Sequence, residues 1–581
     1  MSWVIDNPSR FLSERESIEK LGQEGWLTGV RWRIGTPFRV EVDFTLVIGE
    51  KLYDLQLTYP NLFPDTPAFI HPRNASHRLS GHQYGESGSL CLEYRPDNWD
   101  ASITGAELIR SAHRLLTSEG NGGPPVPFAH HLTLGQNFAG QPYRFLVTPE
   151  LLQELKAAPE SRRFAAQSRT IFHGSEQVTF VSHIQESDGT LQPFSGLPND
   201  KDAYEPMFTV SGEVRIFHVP ETERTTVIGS LEKLAEVVRM PPSLREIFQG
   251  SDHEARKNET RFVLLHFEGA NVIRAFAIRD RQPPILFEYT VMMPEKTSER
   301  LPTEHKQLEK YSVAIIGLGS IGSKVAVSLA RSGLRQFLLV DDDLFLTGNL
   351  RRNELSWMSI GIHKNKGVRE LMNLVAPGCQ IEDVTHRITG QESSKTASAV
   401  LDAIGKCDLL IDATADPSVF VLLAALARRN KKPICWAELF AGGVGGMIAR
   451  ARPNFDPNPL AVRNAITAHL NTQQPAPYQN AVSYDADDIR PLIAYDSDVG
   501  QIASSLTRFA IDTLLRKADT YFPYQAYLIG LRKEWIFLQP FDVHPIETFG
   551  EGWQPRTNDT DESLNAAVAI LADLAAKSSK C

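Results

Sequence analysis

A glycine-rich turn between an apolar strand and a helix constrains the fold of this 581-residue chain more than any other feature. Residues 312–316 (SVAII) predict a buried strand, and Gly317-x-Gly319-x-x-Gly322 follows directly. A helix is predicted next, because three apolar residues are spaced four apart: Ile321, Val325 and Leu329. In this context the glycines let the backbone approach a phosphate, and the helix N-terminus offers unpaired N–H groups. The segment predicts a nucleotide site, with a tight turn that binds no ligand as the alternative.

The residues after this turn predict a doubly wound, mostly parallel sheet. A second buried strand, 337–340, ends in three consecutive acids at 341–343. Two more apolar stretches, which end at Asp412 and near Trp436, alternate with helical patterns. An acid about twenty residues after the glycines can bind ribose hydroxyls. Up to this point a nicotinamide-dependent oxidoreductase fits as well as an enzyme that binds ATP.

Three further motifs separate these two interpretations. They are NLRRN at 349–353, GIHK at 361–364 and DATAD at 412–416. Taken in order with the glycines and the acids, they resemble the adenylation domain of ubiquitin-activating enzymes and of their bacterial relatives in molybdopterin and thiamine biosynthesis. The resemblance covers about residues 305–450. The last motif departs from the family's D-x-T-D, because Ala415 stands between Thr414 and Asp416.

This resemblance implies that the chain binds ATP and Mg²⁺, and that the C-terminal carboxylate of a partner protein attacks the α-phosphate. Arg352 and Lys364 would stabilise the charge that builds on the phosphoryl oxygens and on the departing pyrophosphate. Asp416 would hold Mg²⁺ through a hard oxygen ligand. The nucleotide would contact six further residues: Gly317, Gly319, Gly322, Asp341, Asp343 and Asn349. Of these, Asp341 or Asp343 would take the ribose or assist the metal. Adenylation domains of this family usually pair, which implies a homodimer.

Some assignments in this region stay open. Arg351 is an alternative to Arg352. Lys364 could be a solvated surface lysine, and Asp412 could simply close a strand. Many activating enzymes carry a catalytic cysteine after the adenylation core, but residues 453–500 contain none. We therefore expect the acyl group to pass from the adenylate directly to another cysteine. Three cysteines of this region are expected to be structural: Cys379, Cys407 and Cys435.

The first 150 residues predict a smaller α+β domain. Three stretches with strand character are joined by short turns that contain Gly or Pro: 28–34, 39–48 and 51–59. Alternation of apolar and polar residues and the short turns predict an antiparallel meander. Helical patterns stand before and after it, around 11–22 and 103–116.

Cys91 lies in a setting that resembles ubiquitin-conjugating enzymes. A proline-rich turn at 59–67 precedes it, GSLCL at 88–92 surrounds it, and Trp99 follows eight residues later. The resemblance covers about residues 10–120 and implies that Cys91 accepts an acyl group as a thioester. A thiolate suits this role because it is both a good nucleophile and a better leaving group than an alkoxide.

One element of that family is incomplete around Cys91. The family's His-Pro-Asn motif is represented only by His82-Gln83-Tyr84, so its Asn is absent. Gln83, His82 or a backbone N–H would take over the support of the oxyanion, or the transfer step differs. The alternative for Cys91 is a core thiol in a non-catalytic, conjugating-like domain.

The chain is thus predicted to be a multidomain α/β and α+β protein. We expect a ubiquitin-conjugating-like α+β domain at 1–150, an α+β spacer without recognisable chemistry at 151–300, and a doubly wound, Rossmann-like adenylation domain at 301–581. Strands of the spacer are predicted at 178–184, 214–219, 261–267 and 272–278, and a helix at 231–238. Near the end, one apolar helical face is expected to pack: Leu564, Val568, Leu571 and Ala575.

Composition excludes several classes of protein. The chain has 60 basic and 70 acidic residues and a net charge of −10, so we expect no direct nucleic-acid partner. No window approaches about 18 consecutive apolar residues, so no membrane span is expected. The N-terminus has no basic region followed by an apolar core, so no secretory signal is predicted. Five scattered cysteines without a CxxC pair exclude a tetracysteine zinc site and suit a reducing cytoplasm.

These features together predict an ATP-dependent protein-conjugating enzyme in the cytoplasm. It would adenylate the C-terminus of a partner protein, pass it to Cys91 and transfer it to an amine on an acceptor protein. The arrangement resembles the fused bacterial enzymes of CBASS anti-phage signalling, which implies a cGAS-like nucleotidyltransferase as the activated partner. Three alternatives stay open: an activating enzyme for sulfur transfer whose N-terminal domain only recruits a partner, a nicotinamide-dependent oxidoreductase, and a non-catalytic adaptor for ubiquitin-like proteins.

Overall fold

The strands of the chain form three sheets. The computed structural model describes residues 3–36, 39–74, 79–80, 88–120, 138, 141–157, 164–186, 188–194, 212–224, 226, 228–239, 260–267, 272–279, 284–294, 301–391, 393–440, 442–475, 494–516, 518–554 and 561–578. The chain divides into two compact units, Met1–Ala139 and Gly140–Cys581, and the second unit contains two of the sheets. The domain boundaries at 150 and 300 stay predictions.

The first unit contains the predicted antiparallel meander, whose strands are hydrogen-bonded in the order β1-β2-β3-β4. These strands are β1 (Leu27–Gly35), β2 (Arg39–Ile48), β3 (Lys51–Tyr59) and β4 (Phe69–Pro72). The helices are α1 (Trp3–Asp6), α2 (Pro8–Leu21) and α3 (Gly105–Gly120). Alternation along β2 buries Val42, Phe44 and Leu46 completely, and these side chains belong to the same core as α3. The period of two in the sequence therefore identified the inner face of the sheet.

A buried carboxylate joins the helices of this unit to the meander. Glu14 on α2 is completely buried and accepts hydrogen bonds from Tyr59 Oη and from the backbone N–H of Gly105, both at 2.7 Å. The Arg10 Nε atom donates to the same carboxylate at 2.9 Å. The charge is therefore paired, and the start of α3 is held beside the end of β3.

The second sheet closes on itself. Its strands are hydrogen-bonded in the order β5-β12-β11-β10-β9-β6-β7-β8, and β5 also pairs with β7. The strands are β5 (Tyr143–Leu146), β6 (Phe164–His173), β7 (Glu176–Gln185), β8 (Leu191–Pro193), β9 (Gly212–Val219), β10 (Thr260–Phe267), β11 (Ile273–Arg279) and β12 (Ile285–Met292). Two helices accompany them, α4 (Pro149–Ala157) and α5 (Leu231–Val237). The predicted strands of the spacer are present, but their closure into a barrel had no signature in the sequence.

The third sheet is parallel over five of its eight strands. Its order is β15-β14-β13-β16-β17-β18-β19-β20, and the last three strands are antiparallel. The strands are β13 (Ser312–Ile316), β14 (Gln336–Val340), β15 (Gln380–Val384), β16 (Leu409–Asp412), β17 (Ile434–Phe440), β18 (Gly445–Ala451), β19 (Ala526–Gly530) and β20 (Val543–Ile546). The helices are α6 (Ser320–Arg331), α7 (Lys364–Val375), α8 (Ser394–Lys406), α9 (Pro417–Asn430), α10 (Pro459–Asn471), α11 (Asp496–Leu515) and α12 (Asp561–Ser578).

Helices cover both faces of this sheet, as predicted for a doubly wound fold. Val313 and Ile315 of β13 belong to one core with α6, α7 and α11. Ala314 and Ile316 point to the opposite face and belong to a second core with α8, α9 and α10. A strand buried on both faces explains why its sequence is continuously apolar.

The last helix does not pack as predicted. The side chains of Leu564, Val568 and Leu571 are 62%, 56% and 65% exposed, so the described part of the chain does not cover this face. Apolar spacing gives a helix and its apolar face, but it contains no information on what covers that face. In the described residues, no helix is both long enough and apolar enough to cross a membrane.

Candidate nucleotide site and candidate cysteine nucleophile

The glycine turn lies where the order of the parallel strands reverses. Strand β13 is flanked by β14 and β16, and the carboxyl edge at such a point is the usual ligand site of doubly wound sheets. Gly317 has φ +85°, and a Cβ atom there would lie 2.8 Å from Cγ2 of Thr414. A Cβ atom at Gly322 would lie 1.9 Å from the carbonyl oxygen of Gly317. A Cβ atom at Gly319 would meet nothing within 4 Å, so the space beside this residue, at the start of α6, is open to a phosphate.

Asp341 connects the end of β14 to the glycine turn. Its carboxylate accepts a hydrogen bond from the backbone N–H of Leu318 at 2.6 Å and from that of Asp343 at 2.9 Å. Burial raises the pKa of the Asp341 carboxyl, and these hydrogen bonds and the Lys364 charge oppose the rise. Each carboxylate oxygen still has capacity to accept a ribose hydroxyl.

Lys364 is a buried lysine rather than a surface one. It is the first residue of α7 and is only 8% exposed. Its Nζ atom lies 2.6 Å from Oδ2 of Asp343, and its backbone N–H donates to the Asp343 carbonyl oxygen at 2.9 Å. The interpretation as a solvated lysine is therefore wrong. By contrast, Lys366 is exposed two residues later.

The NLRRN motif forms a 3₁₀ helix, Thr347–Arg351, and the residues after it. The Asn349 Oδ1 atom accepts a hydrogen bond from the backbone N–H of Leu346 at 2.8 Å, so this side chain caps the short helix. Arg352 is half-buried, whereas Arg351 is exposed, so burial favours Arg352 over its rival.

Asn353, for which the sequence predicted no role, binds the glycine turn directly. Its Nδ2 atom donates to the carbonyl oxygens of Leu318 at 3.0 Å and of Gly319 at 3.2 Å. Its Oδ1 atom accepts from the backbone N–H of Leu355 at 3.1 Å. Because Asn353 directly follows Arg352, it joins the arginine segment to the turn. Its place as the last residue of the NLRRN motif was the available signal.

The DATAD motif forms the turn between β16 and α9. Asp412 is 4% exposed and accepts hydrogen bonds from the backbone N–H and the hydroxyl of Thr414, at 3.0 and 2.7 Å. Ala415, the residue that departs from the family pattern, adopts a left-handed backbone conformation with φ +56°. The Asp416 Oδ1 atom then accepts from the backbone N–H of Ser418 at 2.7 Å and caps α9.

Asp416 can supply one oxygen ligand to Mg²⁺. Among the residues that the structure describes, no three acidic, His or Cys side chains are grouped as a metal site. Mg²⁺ commonly binds one or two carboxylates and completes its shell with water and substrate phosphates. A single carboxylate beside an open phosphate site fits that pattern.

Cys91 belongs to the first compact unit, between the meander and α3. The residue is 8% exposed, and its neighbour Leu90 donates a backbone hydrogen bond to the carbonyl oxygen of Ile70 at 2.8 Å. The backbone N–H of Glu93 donates to Ser111 Oγ at 3.0 Å, which ties the segment to α3. Trp99 Nε1 donates to the carbonyl oxygen of Pro64 at 2.7 Å, next to the proline-rich turn. His82 and Gln83 lie outside the described residues.

Burial disfavours the thiolate form of the described cysteines of the second unit. Burial raises the pKa of the Cys435 thiol to about 12 and that of Cys407 to about 11. Burial also raises the pKa of Cys379. Since the thiolate is the reacting form, these three residues suit packing, as predicted. Cys581 lies outside the described residues.

The site geometry is that of an α/β nucleotide-binding domain. Residues 296–522 match the ThiF family, so a ThiF/MoeB-type adenylation domain is present. Members of this family are ATP-dependent adenylyltransferases. Among solved structures, Escherichia coli MccB aligns with a TM-score of 0.34 and 16% identity over 44% of this chain and 68% of MccB.

Three curated relatives illustrate the range of similar proteins. The uncharacterized protein y4qC of Sinorhizobium fredii is 22% identical over 87% of this chain and 89% of its own length. The ATP-dependent ubiquitin transferase-like protein Cap2 of Enterobacter hormaechei is 32% identical over 21% of this chain and 19% of its own length. The adenylyltransferase and sulfurtransferase UBA4 of Debaryomyces hansenii is 30% identical over 20% of this chain and 25% of its own length.

Proposed function

We propose that the chain is an ATP-dependent conjugating enzyme. It adenylates the C-terminus of a partner protein, moves that acyl group to Cys91 and transfers it to an amine on an acceptor protein. The observation that carries the proposal is the presence, in one chain, of a ThiF-type domain and of a separate unit in which a cysteine follows an antiparallel meander. Tethering both sites raises the effective concentration of the second for the first.

In the adenylation step, a carboxylate oxygen of the partner attacks the α-phosphorus of ATP. The bond from the α-phosphorus to the bridging oxygen breaks, and pyrophosphate leaves. The open space at Gly319 would receive the phosphates, and Arg352 and Lys364 would stabilise the charge on the leaving pyrophosphate. Asp416 would hold Mg²⁺ against the phosphate oxygens, and Asp341 or Asp343 would take the ribose.

In the relay, the Cys91 thiolate attacks the acyl carbon, and AMP leaves with the bonding electrons. An amine then attacks the thioester, loses its proton and releases the thiolate. The raised pKa values of the described cysteines in the second unit support Cys91 as the acceptor. A thioester is suited to the final step because a thiolate leaves more readily than an alkoxide.

The partner is proposed to be a cGAS-like nucleotidyltransferase, and the setting an anti-phage signalling system. Two things support this: the resemblance of the fused arrangement to CBASS enzymes, and the similarity to the ubiquitin transferase-like protein Cap2 over 120 residues. A homodimer is proposed from the family's usual pairing.

Substitution of Cys91 by serine tests the relay. The chain is expressed with its neighbouring genes, purified and measured by intact mass, because an oxyester on the new hydroxyl is longer-lived than a thioester. We expect an ATP-dependent adduct on Cys91→Ser that is lost when Asp416 is also replaced by Asn. An ATP-dependent acyl-adenylate without any adduct on residue 91 would contradict the relay.

Sulfur transfer is the second candidate. It is favoured by the similarity to an adenylyltransferase and sulfurtransferase and to the ThiS adenylyltransferase of Escherichia coli, which is 28% identical over 25% of this chain. In that case sulfide, supplied by a sulfur donor, would attack the acyl carbon and AMP would leave, so that the partner ends in a thiocarboxylate. Cys91→Ala would then leave the yield of that thiocarboxylate unchanged.

A further inference from the structure

Arg463 presents an unpaired cation at the same edge of the third sheet as the nucleotide site. It lies on α10 and is half-buried. Its Cζ atom lies 4.5 Å from the ring centroid of Phe420, in the first turn of α9. Among the described residues its guanidinium forms no hydrogen bond and no ion pair.

The Phe420 ring, over which this guanidinium lies, is held in place next to the DATAD turn. The Phe420 ring is 2% exposed and meets Trp436 edge-on, with ring centroids 4.8 Å apart. Trp436 is the register partner of Asp412 across β16 and β17. A guanidinium stacked on an aromatic ring keeps its edge N–H groups available for a planar anion such as a carboxylate.

Two carboxylates, those of Asp412 and Glu438, lie near Arg463 but form no ion pair with it. The Asp412 oxygen Oδ1 is occupied by both donors of Thr414. Desolvation raises the pKa of Asp412 and of Glu438, and the charge of Arg463 opposes both shifts, so the three groups lie within electrostatic range. The N–H donors of Arg463 are therefore available to a ligand.

The side of the sheet on which Arg463 lies indicates the ligand. An in-line displacement at the α-phosphorus needs the attacking carboxylate and the leaving pyrophosphate on opposite sides. Lys364 lies beside the end of β14, whereas Arg463 lies on the other side of β13, beyond β16. Building on the proposed adenylation, we propose that Arg463 binds the C-terminal carboxylate of the protein substrate and orients it for attack.

Chemical modification of arginine tests this directly on the full chain. Phenylglyoxal labelling of Arg463 is followed by peptide mass spectrometry in three mixtures: the magnesium complex of a non-hydrolysable ATP analogue alone, the same with tetra-alanine, and the same with tetra-alanine amide. We expect only the free carboxylate to slow labelling, by about five-fold or more, as bidentate carboxylate binding requires. Arg429, exposed at the other end of α9, is the internal control and should label equally in all three. The Arg463→Gln chain verifies the labelled peptide.

Two results would overturn the assignment. Equal protection by the nucleotide analogue alone would make Arg463 a phosphate ligand. Equal labelling rates with tetra-alanine and with tetra-alanine amide would mean that Arg463 does not bind the carboxylate. Neither result depends on the Cys91→Ser adduct, so failure of this assignment and failure of the proposed relay are separate outcomes.

Discussion

The ammonium group of Lys364 lies 2.6 Å from the Asp343 carboxylate, and the backbone N–H of Lys364 donates to the Asp343 carbonyl oxygen. The lysine side chain is 10% exposed and the aspartate side chain 67%. Two contacts thus hold the start of α7 against the end of β14. The positive charge is already positioned beside the glycine turn, which is the preorganisation that stabilises developing charge in a transition state.

Replacing Lys364 by methionine should slow formation of the Cys91→Ser adduct by about 100-fold, because the charge on pyrophosphate loses its buried cation. Lys366→Met is the matched control, since Lys366 is exposed two residues away. Time courses of intact mass measure both rates. Equal slowing by the two variants would contradict the role of Lys364.

Alanine substitutions at two glycines of the turn should have different effects, one on stability and the other on ATP binding. Gly322→Ala places a Cβ atom 1.9 Å from the Gly317 carbonyl oxygen, so we expect a lower Tm. Gly319→Ala meets nothing within 4 Å, so its Tm should stay within about 2 °C of the parent while its affinity for ATP falls about ten-fold or more. Calorimetry measures both quantities. Unchanged ATP affinity in Gly319→Ala would mean that no phosphate occupies this space.

Asn353→Ala should destabilise the adenylation domain. It leaves the buried backbone N–H of Leu355 without its acceptor and removes the donor to two carbonyl oxygens, which we expect to lower the free energy of unfolding by about 1–3 kcal/mol. Asn430→Ala, the control, removes one exposed hydrogen bond to the Leu426 carbonyl oxygen. It should change the free energy of unfolding by less than about 0.5 kcal/mol. Urea titration compares the two variants. Equal losses would show that Asn353 does not hold the turn.

Alkylation of buried thiols should depend steeply on pH. With a pKa of about 12 for Cys435 and about 11 for Cys407, the thiolate fraction should rise about ten-fold per pH unit between pH 7 and 10. In the unfolded chain, with a thiol pKa of about 8.5, the same rates should level off above that pH. Iodoacetamide labelling with peptide mass spectrometry measures both. A native rate that also levels off near pH 8.5 would contradict the raised values.

The sequence predicted elements whose signal is local. Strands β2, β3 and β13 have the predicted bounds, because alternation or a short apolar run ends at Gly, Pro or charged residues. The doubly wound sheet followed from alternating strands and helices. The antiparallel direction of β18 to β20 could not be predicted, because a strand buried on both faces has the same sequence pattern in either direction.

Side-chain contacts between segments that are distant in the sequence could not be predicted either. Asn353 contacts the carbonyl oxygens of Leu318 and Gly319, 35 and 34 residues earlier, and no periodicity encodes such a pairing. Arg463 became a candidate only once α10 was seen against Phe420. In contrast, the identity of Lys364 as a site residue was accessible, because an ordered motif, rather than the lysine alone, pointed to it.

The chemical state of the partner's C-terminus distinguishes conjugation from sulfur transfer. Peptide mass spectrometry of the Cys91→Ser chain, purified with its neighbouring gene products after incubation with ATP, identifies the bond that the activated carboxylate has formed. We predict an ester between the Ser hydroxyl at position 91 and the last residue of the partner. A partner that ends in a thiocarboxylate, with residue 91 unmodified, would contradict the conjugation account in favour of sulfur transfer.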